Sequence, residues 1–95
     1  MPSATESWYE VEFSDPIQVD TIKMSFFSDG LTAFVPDCFE VLTWHENAWK
    51  SAYQSTKKPL ENTETVVKIS TQRTTKIRAT FRHTHPLRLV SLKAQ

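Results

Sequence analysis

His83 and His85 stand two residues apart in "HTH". Side chains of an extended chain alternate, so both imidazoles point to one side. Two imidazole nitrogens on one side are half of a zinc site. The nearest further candidates, Asp29 and Cys38, sit at no spacing that supports coordination, so no metal is expected. Catalytic patterns are missing as well. The sequence has no Gly-x-Ser-x-Gly elbow, no Gly-rich phosphate loop and no His-Glu-x-x-His. Glu10 and Glu12 alternate with Tyr9, Val11 and Phe13 and so take an outer face, and Glu40 with Glu46 is the outer charge of a hairpin. Paired acids for glycoside chemistry need a cleft that raises one pKa. The chain therefore reads as non-catalytic.

Binding chemistry fits better. Asp29, Phe34, Tyr53, Asn62, Arg82, His83 and His85 combine flat rings with fixed donors and acceptors. A sugar packs its C–H face on a ring and needs partners for its hydroxyls. Whether these seven residues meet depends on the elements that carry them.

Those elements read as strands. In "WYEVEF" Tyr9, Val11 and Phe13 share a face, and "SDP" (Ser14, Asp15, Pro16) then turns the chain. Ile22, Met24 and Phe26 alternate in "VDTIKMSFF", followed by an irregular loop over 28–37. Phe39, Val41 and Thr43 form the next inward face, with Trp44 opposite alongside Glu40 and Leu42. Residues 45–48 read as a four-residue connection with Asn47 in a left-handed position. Trp49 then opens the return strand as a core residue, so the two tryptophans are not read as a ligand platform. Residues 54–64 form a polar loop. Val67 and Ile69 point inward, "TQRT" (71–74) is a short turn, Ile77, Ala79 and Phe81 alternate, "RHTHP" breaks the pattern, and residues 87–94 close the chain. Seven or so short strands at this spacing argue an all-β antiparallel sandwich. The short turns at 14–16, 45–48 and 71–74 fall at one end of it. The connections at 28–36, 54–64 and 82–87 fall at the other, the end that collects the seven candidates. Loops on a rigid scaffold are where function tends to sit.

Composition narrows the partners. Ninety-five residues suit one domain, read as a lead-in over 1–7 and a single β-sandwich over 8–95. Eleven basic and eleven acidic residues cancel, which argues against a nucleic-acid partner. No stretch approaches the roughly twenty apolar residues of a membrane helix. Cys38 is alone, so no intrachain disulfide forms.

The ordered set Trp8–Pro16, then Ser28, Asp29, Gly30 and Pro36, then Phe39, Val41, Trp44 and Trp49, then Thr74 or Thr75, Arg78 and Phe81 resembles the discoidin, or coagulation-factor type C, family. It is similar in particular to the galactose-binding-like modules appended to glycoside hydrolases. The resemblance spans residues 8 to about 92 and implies a jelly-roll-like sandwich with a ligand rim at one end. It further implies a carbohydrate partner, a neighbouring catalytic domain in a parent protein, and extracellular or cell-surface use. Two departures stand out. The family carries a longer segment before the Trp-led strand, with a loop that often holds a structural calcium; seven residues precede that strand here, so no cofactor is expected, with a structural calcium the one that the resemblance leaves open. Sugar-binding members place His and Arg around the loop equivalent to 28–36, where this chain has Asp29, Thr32 and Phe34. The alternative reading is a protein-interaction or self-assembly module, forming a homodimer through an exposed sheet edge.

Overall fold

In the computed structural model, which describes residues 5–95, the alternating segments become five strands. These are β1 (Thr5–Phe26), β2 (Cys38–His45), β3 (Ala48–Ser55), β4 (Glu64–His83) and β5 (Leu89–Ala94). They form one antiparallel sheet in the order β3-β2-β4-β1-β5. The turns expected at 14–16 and 71–74 do not end strands. Both segments lie inside β1 and β4, which run for 22 and 20 residues, about twice the length of a long ordinary strand.

Two irregularities make such lengths possible. Glu12 pairs with Lys76 and Ile17 with Thr74, so residues 13–16 of β1 oppose residue 75 alone. Val19 then pairs with Gln72 and Thr21 with Lys68, so residues 69–71 of β4 oppose residue 20 alone. Extra residues on one strand bend it and sharpen its twist. Pro16, which has no N–H to give, falls inside the first irregularity, where no ladder bond is lost. The turn-forming residues mark bends, and the seven or so expected strands are five because two of them are double.

Each doubled strand belongs to two layers. Residues 5–12 of β1 and 76–83 of β4 join β2 and β3 in a first layer. Residues 17–25 of β1 and 64–74 of β4 join β5 in a second. The core lies between them. Val19, Ile22, Met24, Phe26 and Val67 of the second layer pack with Phe39, Val41, Ile77, Ala79 and Phe81 of the first. Phe26 and Phe81 meet edge to face, with ring centroids 5.3 Å apart. The inward faces read from the sequence are therefore the buried ones, and the fold is an all-β sandwich. Tyr9 departs from this pattern. Its register puts it beside Ala79, but β1 is the edge of the first layer there and the ring stays exposed. The expected lead-in is also shorter, because Thr5, Glu6 and Ser7 already pair with His83, Arg82 and Phe81. The remainder of that segment, residues 1–4, lies outside the described residues.

The hairpin is tighter than expected. His45 pairs with Ala48, leaving Glu46 and Asn47 as a two-residue turn with φ of 50° and 63°. Positive φ at both positions is the pattern of a type I′ turn, whose twist matches that of the flanking strands. Trp44 consequently pairs directly with Trp49. Residues directly opposite in a ladder share a face, so Trp49 lies outside with Trp44 and is not a core residue.

Side chains tie the bends to this hairpin. Thr43 and His45 both reach the side-chain carbonyl of Gln72. The Thr74 hydroxyl accepts the Trp44 N–H and donates to the Trp44 carbonyl. The bends and hairpin thus share one end, and the loops at 27–37, 56–63 and 84–88 share the other. Replacing Phe81 with Ala should cost about 3–5 kcal/mol by denaturant unfolding, as expected for a buried aromatic. A loss below about 1 kcal/mol would mean that the two layers do not close on this ring.

Candidate functional site at the loop end

Asp29 organises the first loop. Its Oδ1 accepts the N–H groups of Leu31 at 2.8 Å, Thr32 at 2.7 Å and Ala33 at 3.0 Å. Its Oδ2 accepts the Thr32 hydroxyl. The turn needs Gly30 at φ 72°, a conformation in which side chains with a Cβ are strained. The Thr32 hydroxyl, followed by the three backbone amides, holds the Asp29 carboxyl well below the usual carboxylate range. The carboxylate is therefore engaged within the loop.

Asn62 joins the second loop to the first. Its side-chain carbonyl accepts the Ser28 N–H at 2.9 Å while its amide donates to the Ser28 carbonyl at 2.9 Å. Its own N–H donates to the Phe26 carbonyl, which its left-handed backbone, φ 56°, makes reachable. Asn tolerates that conformation better than most residues.

The third loop docks on Phe34. Phe34 donates its N–H to the Pro86 carbonyl at 2.9 Å and forms an isolated parallel bridge with Leu87. The Phe34 ring lies 4.7 Å from the His85 ring, tilted by 36°. His85 is exposed and Phe34 half-buried. Beyond them, Leu31 is 84% exposed, and the Arg88 guanidinium covers the Phe27 ring at 5.5 Å.

His83 does not act with His85 as a pair. Its Nδ1 lies 2.7 Å from the His85 carbonyl, which can only accept, so Nδ1 carries the proton. Nε2 then accepts the Ser7 hydroxyl at 2.8 Å. Both nitrogens are engaged, and the ring anchors β1 to the loop. Among the described residues no three His, Cys, Asp or Glu side chains are placed to hold a metal ion.

The seven sequence candidates thus divide. Phe34 and His85 touch, and Asp29, Asn62 and His83 hold the loops that present them. Tyr53 and Arg82 stand apart from this group. Tyr53 stacks on Phe39 at 5.8 Å on the inner side, because it pairs with inward-facing Val41. Arg82 alternates with buried Phe81 and faces outward. There it lines an open groove of about 380 Å³ with Glu6, Glu40, Gln54 and Thr80, none of which is among the seven candidates. Strict alternation about Phe81 is the signal that sets Thr80 on the outer face beside Arg82.

No family model matches the chain, and no curated protein does. Solved structures do. The chain resembles chitosan-binding module 1, derived from a chitosanase/glucanase from Paenibacillus sp. IK-5. The TM-score is 0.75 at 11% identity, over 96% of this chain and 69% of that one. It resembles SpGH29 at a TM-score of 0.75 and 15% identity, over 92% of this chain and 18% of that much longer one. It also resembles CpGH89CBM32-5 from Clostridium perfringens, solved with GalNAc-β-1,3-galactose. That TM-score is 0.68 at 7% identity, over 94% and 68% of the two chains. At these identities the likeness is one of fold.

Because the folded-state pKa of Asp29 is depressed, its contribution to loop order is present above the unfolded carboxylate value. It should be lost only as pH falls from about 4 through the lower folded value. In a pH titration by NMR, the Leu31, Thr32 and Ala33 amides should hold their positions through the range where exposed carboxylates protonate. Asp29→Asn should disorder them at neutral pH. Amides that titrate with the exposed carboxylates would contradict this arrangement.

Proposed function

We propose that the chain is a non-catalytic carbohydrate-binding module of discoidin-like type, working beside a catalytic domain of a parent protein. One observation carries this reading. The fold matches, over nearly the whole chain, modules named for chitosan binding and solved with a galactose-containing sugar. The loop end supplies chemistry that fits. Phe34 and His85 offer ring faces at an exposed rim, and the Asp29 turn and Asn62 clamp fix the loops that carry them. A rigid rim spares the ligand the cost of ordering its site, although a shallow one desolvates little of a small sugar and keeps affinity modest.

A second reading rests on the unpaired edge of β1. Residues 5–12 pair only with β4 among the described residues, and an open edge can accept a partner strand. A second copy fits this edge poorly. Antiparallel self-pairing centred on Tyr9 would set Glu6 opposite Glu12 on one face, and like charges directly opposite are destabilising.

Proton–nitrogen NMR titration with a panel of monosaccharides tests the main reading. Shifts should concentrate in 29–34 and 82–87, and Phe34→Ala or His85→Ala should weaken binding roughly tenfold, the order expected when an aromatic contact is truncated. Binding that both variants leave intact would move the sugar elsewhere on the molecule. A spectrum that no sugar perturbs would favour the edge-pairing reading.

A further inference from the structure

All three tryptophans of the chain lie on the outer face of the first layer. Trp8 pairs with Thr80, and Trp44 with Trp49. Arg78 links them. Its guanidinium lies 4.4 Å from the Trp8 ring centroid and 4.5 Å from that of Trp49. Glu10 accepts from it at 2.8 Å and fixes its position. The Lys76 ammonium sits 4.8 Å over Trp44, and Trp44 meets Trp49 edge to face at 5.1 Å. Rings and cations thus run across all four strands of the layer, each cation held against the quadrupole of an indole face. The core closes on the other side of the sheet and requires none of these rings.

Trp8 has the clearest capacity to bind. It is 58% exposed. The Arg78 guanidinium lies over one face of its ring, and residues 5–12 of β1 have no second partner strand among the described residues. The groove lined by Glu6, Glu40, Gln54, Thr80 and Arg82 begins beside it, since Thr80 is the ladder partner of Trp8. Between Arg78 and Arg82 the strand advances about 13 Å, longer than one pyranose ring. Carboxylate, amide, hydroxyl and guanidinium groups line that length, which gives acceptors and donors for hydroxyls. Two carboxylates against one guanidinium in the groove disfavour a polyanionic chain.

We propose that this face is a second glycan-binding surface, taking a neutral oligosaccharide with one ring stacked on Trp8 and the next in the Glu6–Thr80–Arg82 groove. The inference rests on the carbohydrate reading and adds to it a site separate from the loop end, selective for chains over single sugars. Arg78 acts as a positioning residue, holding the Trp8 indole through the contact of its guanidinium with the ring.

The test is an NMR titration of the chain with cello-, chito- and galacto-oligosaccharides beside the matching monosaccharides, reading the Trp8 indole Nε1–H and the Arg78 side-chain N–H. The oligosaccharide that binds should shift both signals, and its monosaccharide should not. Trp8→Ala should weaken the oligosaccharide roughly tenfold and leave the shifts at Phe34 and His85 unchanged. If the variant fails to fold, the wild-type indole signal decides alone. Oligosaccharide shifts confined to the loop end would overturn this face and leave the carbohydrate reading standing. A chain that ignores every sugar would overturn both.

Discussion

The ladder between β1 and β4 holds the molecule together, because each of these strands serves both layers. Neither layer is complete without them. The same two strands supply Ile77 and Phe81 to one wall of the core, and Ile22, Met24 and Phe26 to the other. Opposed irregularities, one on each strand, bend the ladder without breaking it. Side chains beside the bends gather against the hairpin, where Gln72 meets Thr43 and His45 and the Thr74 hydroxyl meets the Trp44 backbone. No buried side-chain nitrogen or oxygen among the described residues lacks a partner, as a closed core demands.

That arrangement fixes where the two proposed binding surfaces lie. With the bends at one end, the three longer loops are forced together at the other, and the first layer presents a broad outer face to solvent. The loops are held by their own polar side chains, which leaves the Phe34 and His85 rings at the proposed rim. Phe34 with His85 at the rim, and Trp8 over Arg78 on the sheet, are two forms of one device. In each, a flat apolar face is steadied by a neighbouring ring or cation and kept in reach of polar groups.

Much of this was legible in the amino-acid sequence. Period-two alternation identified the inward faces of 22–26, 39–43 and 77–81, and counting strands sent 28–36, 54–64 and 82–87 to one end. Continuity through Ser14–Pro16 and Thr71–Thr74 was not legible, because residues that favour turns also favour bulges. Trp49 was misplaced for a related reason. A tryptophan closing a strand reads as core until the turn length is known, and a two-residue turn pairs it with Trp44 on the outside. The engagement of His83 depends on Ser7, which is 76 positions away, and no local pattern announces such a partner. Arg78 between two indoles is likewise a product of register, invisible until β1, β4 and β3 are aligned.

Affinity electrophoresis of the chain through native gels cast with neutral polysaccharides asks whether it binds a glycan at all. At least one polysaccharide should retard its migration relative to a non-binding control protein, and the free oligosaccharide of the same sugar should relieve the retardation. Identical mobility in every gel would contradict a carbohydrate-binding role.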